Sequence, residues 1–170
     1  MNEGAGSGGI QGIVEALHAK PRTPGEHGLP KPSVPLVSVR RGGVDGDYNV
    51  YRQEEKHGDL GMAVLLIPAE TLEGFRRDGW PVRPGDLGEN ITTRGIAYDA
   101  FAPPGTFEVG RAVLEISKAC TPCDNLHLLP YVGASRGAEF VRAAVGRRGW
   151  YARVVRDGEI RVGDPIRRLE

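Results

Sequence analysis

The sequence predicts a mainly β fold of the α+β class, a small barrel-like domain with a few helices packed outside it. Three observations carry that prediction. Apolar stretches of strand length are separated by dense Gly, Pro and Asp turns and do not alternate strictly with helices, which argues against a doubly wound sheet. Helical periodicity is confined to two stretches. The segments 105-GTFEVGRAVLEI-116 and 158-GEIRVGDPIRRL-169 share a pattern that reads as strand, glycine bend, strand. Bends of that kind supply the sharp corners that a small barrel needs.

Taken in order, 1-MNEGAGSGG-9 is a flexible glycine-rich tail, and 10–170 forms one domain, the size that 170 residues with 39% hydrophobic content support. The first strand is 10-IQGIVEALHA-19. Five prolines keep 20-KPRTPGEHGLPKPSVP-35 irregular, and 34-VPLVSVRR-41 is a second strand with Val37 and Val39 on one face. After the turn 42-GGVDGD-47, the continuous apolar run 62-MAVLLI-67 has the pattern of a strand buried on both faces. Pro68 stands at a favourable first helical position, so a helix spans 68–78 and stops at Gly79. Strands follow over 88–96 and over 112-AVLEISKAC-120, which delivers the cysteines at its end. A second helix spans 136–148, with Ser135 as N-cap and a stripe of Phe140, Val141, Ala144 and Val145. In the last segment, 150–166, Asp157-Gly158 carries the signal of a two-residue hairpin. Trp80 and Trp150 are assigned to packing.

Twenty-two basic residues balance twenty-two acidic ones, so no global field draws the chain to nucleic acid or anionic lipid, and an anionic ligand has to be held locally. No apolar run approaches the ~20 residues that cross a bilayer, and the N-terminus lacks a signal-peptide pattern, so a soluble, cytoplasmic protein is expected.

The chemistry concentrates at 118-KACTPCDNLH-127, which holds both cysteines three residues apart and His127 four further on. It has three readings: a metal clip, a redox couple, or one working thiolate beside a bystander. A zinc clip could draw on both cysteines, His127 and His57, yet a second clear ligand pair is missing. A thioredoxin-like couple should open a helix in a βαβ unit, whereas this motif ends a strand. A single working thiolate falls to Cys123, because Pro122 ends the strand and leaves an open turn there; Cys120 lies nearer the strand, as a small buried residue.

The loops GGVDGD (42–47), KHGD (56–59, followed by AVLLI), PGDLGENITTRGI (84–96) and TPCDNL (121–126), with the VG-R-A-VLEIS strand before the last, together resemble the MOSC domain. That family takes its name from the C-terminal domain of molybdenum-cofactor sulfurases. The resemblance runs from about Ile10 to Ile166 and is to the stand-alone prokaryotic members. It implies a β-barrel-like fold with the four loops at one mouth, and a single functional cysteine, Cys123, whose thiolate ligates the molybdenum of the molybdopterin cofactor. It further implies reduction of N-hydroxylated or N-oxygenated compounds, with electrons from a separate reductase, since the chain carries no flavin or nicotinamide fingerprint. The alternative is a sulfur carrier whose Cys123 bears a persulfide received from a cysteine desulfurase, or a non-catalytic carrier of cofactor. No lysine stands in a Schiff-base setting, so no intrinsic pyridoxal phosphate is expected.

Residues matching the family loops are the expected cofactor contacts: Asp47, Lys56, His57, Glu89, Asn90, Thr92 and Thr93. Asn90 and the two threonines offer neutral donors suited to oxo groups and pterin edges. Arg40, Arg41, Lys56, Arg94 and Lys118 are the cations nearest these loops for a terminal phosphate. Two positions depart from the pattern. Cys120 stands where many bacterial members carry Arg, which removes a cation for cofactor oxygens, and Asp59 stands where a second glycine is common.

Overall fold

The structure, a computed structural model, describes residues 9–170, so the expected flexible tail lies, except for Gly9, outside the described residues. Among the described residues eleven strands are formed: β1 (Gln11–His18), β2 (Ser33–Val34), β3 (Leu36–Arg40), β4 (Gly43–Val44), β5 (Val64–Pro68), β6 (Ile91–Arg94), β7 (Thr106–Val109), β8 (Ala112–Ala119), β9 (Trp150–Arg156), β10 (Gly158–Arg161) and β11 (Pro165–Leu169). The two α-helices among these residues are α1 (Ala69–Arg77) and α2 (Gly133–Ala144). None of the described helices is long and apolar enough to cross a membrane.

Seven strands close into a barrel in the order β1-β11-β7-β8-β9-β5-β6 and back to β1, with β2 appended to β1. Closure removes the unpaired sheet edges that invite association. All neighbours are antiparallel except β5 and β6, and this parallel pair is joined by the crossover that contains α1, as parallel pairing requires. A second sheet, β10-β3-β4, shares the barrel's core, with Val37, Val39, Val44 and Ile160 packed among Leu66, Phe107, Leu114 and Ala152.

Strand β5 is buried along its whole length because its two faces serve different cores. Val64 and Leu66 point into the barrel. On the outer face, Ile67 packs with Phe75, Trp80 and Phe140 against the helices, while Leu65 joins Met62, Cys120 and Tyr151 in a separate small cluster. This arrangement sets up a pocket on the barrel's outer wall.

Three expectations are corrected. Asp157-Gly158 does not turn a hairpin: β9 pairs with β8 and β5, whereas β10 pairs with β3, so the chain passes here from one sheet to the other. A Cβ at Gly158 would lie 2.5 Å from the Arg111 carbonyl, so the corner is too crowded for a side chain. The two repeated segments likewise diverge. Around Gly110 the chain makes a hairpin between β7 and β8, but β10 and β11 separate at Gly163, whose φ of +90° suits glycine, and join different sheets. Finally, α2 begins at Gly133, which leaves Ser135 inside the helix instead of capping it, and it ends at Ala144, with Val145 exposed rather than part of the apolar stripe. Val132 at its N-cap is buried beside Leu126 and Leu129, so packing in place of a capping side chain fixes that end.

Candidate functional site

Outside β5 and β9 lies a cavity of about 340 Å³, within the usual range for small-molecule sites. Its floor is Leu65, Tyr151, Cys120 and Arg148. One wall is the turn Thr121–Cys123 that continues β8, another is Tyr48–Tyr51, and Leu87 and Gly88 close the side. The proline-rich segment crosses over it with Glu26–Leu29 and Lys31. The cavity is therefore on the outer wall of the barrel and not in its lumen, and three of the four family loops, or the residues adjoining them, contribute to it.

Strand β8 ends at Ala119, and the Cys120 amide donates to the Gly149 carbonyl at 2.8 Å, which pins Cys120 against β9. Only 5% of Cys120 is exposed, and its thiol points back to the Thr121 carbonyl at 3.7 Å. Burial, with Cys120 as neighbour, holds the Tyr151 phenol well above its usual range. Cys123 is partly exposed on the cavity wall, past Pro122, where the backbone leaves the ladder. The two thiols thus occupy different environments, one in an apolar floor and one open to a ligand.

His127 does not face Cys123. It turns to α2, where a Cβ at Gly137 would fall 2.2 Å from its ring. Among the described residues no three of His, Cys, Asp and Glu gather where a metal ion could be held, so the CxxC–His127 zinc clip has no geometry here.

A buried polar network adjoins the cavity through Lys31. Lys31 and Asp47 form an ion pair at 2.7 Å, with side chains only 4% and 7% exposed, and the other Asp47 oxygen accepts from the Lys20 amide. Asn90 donates through Nδ2 to Asp47 and to the His18 carbonyl and accepts at Oδ1 from the Leu65 amide, so the side chain's donors are committed to the chain itself. Glu89 is wholly buried; it accepts from the Gly85 amide and the Thr92 hydroxyl, and burial raises its pKa. Thr93 is buried with its hydroxyl unpartnered. Asp47, Glu89, Asn90, Thr92 and Thr93 are therefore outside the cavity lining, and Asp47 and Asn90 are bonded to the lining residues Lys31 and Leu65.

The KHGD loop lies apart from the cavity. Buried Arg52 donates to the Gly58 and Asp59 carbonyls and so fixes the loop from below, with His57 exposed at a φ of 51°. Lys56 is exposed and stands over the Tyr51 ring at 5.3 Å, on a residue of the cavity wall. Asp59 pairs with Lys118 at 2.7 Å. The other basic candidates are likewise elsewhere: Arg40 is paired with Asp45, Arg94 with Glu15 and Glu73, and Arg41 lies outside the cavity lining.

Two cations that line the cavity escaped the sequence reading. Lys31 lies in the proline-rich segment, where no periodicity marks it as buried. Arg148 follows α2, where a basic residue has an ordinary role near a helix C-terminus. Yet Arg148 is only 6% exposed and makes no hydrogen bond or ion pair among the described residues; its Nε and Nη1 are enclosed without a partner. A buried guanidinium that lacks a partner fits a charged ligand, and the Cys123 thiol on the same cavity fits a soft metal. Both features suit an anionic metal cofactor.

The family model of the MOSC domain matches residues 53–167. Among solved structures, the chain is similar to the YuaD protein of Bacillus subtilis, with a TM-score of 0.76 and 18% identity over 92% of this chain and 94% of that one. YiiM of Geobacillus stearothermophilus gives 0.71 and 24% over 94% and 75%, and YiiM of Escherichia coli gives 0.65 and 18% over 93% and 70%. At these identities the likeness speaks for the fold. No curated protein matches.

Proposed function

The chain belongs to the MOSC domain family, and from that premise we propose that it holds a molybdenum cofactor in the outer-wall cavity, with the Cys123 thiolate as the protein ligand of the metal, and reduces N-hydroxylated or N-oxygenated compounds. The observation that carries this reading is the partly exposed thiol of Cys123 on the wall of a 340 Å³ cavity that a buried cation, Arg148, also lines. A soft thiolate is the protein ligand suited to a polarisable, redox-active metal. When bound, the cofactor supplies two-electron chemistry, so that an N-hydroxylated base, two electrons and two protons give the reduced base and water.

The chain's own residues position and shield. Pro122 keeps Cys123 out of the β8 ladder, so the thiol faces the cavity. Leu65, Leu87 and Tyr151 make an apolar lining, and Glu26–Leu29 form part of the cavity's rim. The electrons come from a separate reductase.

Expression in a host that makes the cofactor, followed by metal analysis and mass spectrometry of Cys123, tests the reading. Roughly equimolar molybdenum in the wild type, lost in Cys123→Ser and kept in Cys120→Ser, supports it. A mass increase of one sulfur on Cys123 without metal replaces it with a sulfur carrier served by a cysteine desulfurase. Zinc lost equally in both variants turns the pair into a metal clip.

A further inference from the structure

We propose that the floor of the cavity is an oxyanion subsite, in which the Arg148 guanidinium donates to a phosphate or metal-oxo oxygen of the bound ligand. The argument starts from charge. Two cations line the cavity, and one of them, Lys31, is matched by Asp47 at 2.7 Å. Arg148 has no such match. No carboxylate lies within ion-pairing distance of it among the described residues, although it is nine-tenths buried. Glu89 feels its field without bonding to it, its Oε2 staying unpartnered, and burial raises its pKa.

A guanidinium presents five N–H donors in a fixed fork, and a buried one with no acceptor is costly. The cost falls if an anion completes the site, and a tetrahedral oxyanion accepts two parallel N–H bonds from such a fork. The fold holds Arg148 in place for this role. Gly149 follows it with a φ of +101°, where a Cβ would lie 2.5 Å from Ile67 and from the Leu66 carbonyl. The Gly149 carbonyl takes the Cys120 amide and its own amide donates to the Tyr98 hydroxyl. Arg148 is thus tied to the strand end that carries the cysteines.

The subsite deepens the cofactor reading and rests on it for the identity of the ligand, but its test uses the cofactor-free full chain. Inorganic phosphate and molybdate are titrated calorimetrically into the wild type, Arg148→Met, Arg148→Lys and Cys123→Ser. The wild type is expected to bind, and Arg148→Met to bind roughly ten- to hundred-fold more weakly, the loss of a charge-assisted bond. Arg148→Lys falls between, since an ammonium keeps charge without the fork. Phosphate binding that survives Cys123→Ser assigns the subsite to a ligand phosphate, whereas molybdate binding lost in both Cys123→Ser and Arg148→Met assigns it to metal-bound oxygen. No binding of either ion at millimolar concentration, or equal affinity in Arg148→Met, overturns the proposal. Should Arg148→Met not fold, the Nε–H resonance of Arg148 in the wild type, assigned by its absence from Arg148→Lys, reports directly: a saturable shift with either ion supports the subsite and a fixed resonance removes it. If molybdenum is retained through Cys123 while these titrations fail, only the subsite falls. If the chain carries sulfur and no metal, the phosphate result still stands.

Discussion

Replacing Asn90 with Ala should unfold the cofactor-free chain well below the wild-type temperature, because this side chain is a structural rung of the barrel. Its backbone amide donates to the Leu65 carbonyl and its carbonyl accepts from the His18 amide, which continues the β6 ladder one residue beyond the strand. The side chain then contacts the same two neighbours again, accepting from the Leu65 amide at 3.1 Å and donating to the His18 carbonyl at 3.2 Å, and adds a donation to Asp47 at 3.0 Å. Alanine leaves the buried Leu65 amide without an acceptor, at about 1–3 kcal/mol, and removes two further bonds, one of them to a carboxylate, for a total of roughly 3–5 kcal/mol. For a chain of 170 residues that corresponds to about 6–20 °C in Tm. Asn90→Asp keeps the acceptor for Leu65 but turns an oxygen toward Asp47 and the His18 carbonyl, so at neutral pH it should be no more stable than the alanine variant. Urea and thermal unfolding followed by circular dichroism measure both. An Asn90→Ala chain that melts with the wild type, yet binds cofactor poorly, would refute the structural account and return Asn90 to the role of a ligand contact.

Asp47→Asn removes the charge that balances Lys31 in a buried pair and should cost roughly 3–5 kcal/mol in chemical denaturation, with much of the loss recovered in the Asp47→Asn/Lys31→Met double variant. His18 is wholly buried, and burial, with Lys31 adding to it, lowers its pKa to about 4. Below the ordinary value of 6.5 the unfolded chain takes up a proton that the folded chain refuses, so stability is lost as pH falls from 6.5 toward 4, by up to roughly 3 kcal/mol. Glu89, with its pKa raised by burial, contributes a slope of opposite sign in the wild type and in His18→Leu alike. The wild type should therefore lose stability relative to His18→Leu as pH falls across that window, and a relative stability that stays constant refutes the assignment. Gly158→Ala places a Cβ 2.5 Å from the Arg111 carbonyl and 2.6 Å from the Ala112 amide, backbone that cannot swing aside, and should lower stability by roughly 2–3 kcal/mol in the same assay.

The sequence by itself determined which stretches are buried and how they are punctuated. The apolar run 62–67 announced a strand with two buried faces, Gly79 marked the end of α1, and Val37 and Val39 marked the inner face of β3. Pro122 placed Cys123 in an open turn and Cys120 against the strand, and the structure has both thiols there. Periodicity and turn chemistry are local properties, set by the side chain and its immediate backbone, so they survive in a linear reading. Tertiary structure decided the partners. Asp157-Gly158 is chemically able to turn a hairpin, but β10 pairs with β3, more than a hundred residues earlier, because the inward face of β3 needs Ile160 to complete the shared core. Likewise, an asparagine has the same donors wherever it stands. Only the convergence of Leu65, His18 and Asp47 spends those of Asn90 inside the chain, and only the lack of a bonded partner among the described residues leaves the buried Arg148 unmatched beside the cavity. Whether a polar group is satisfied depends on what distant segments bring opposite it, and no local pattern in the sequence records that.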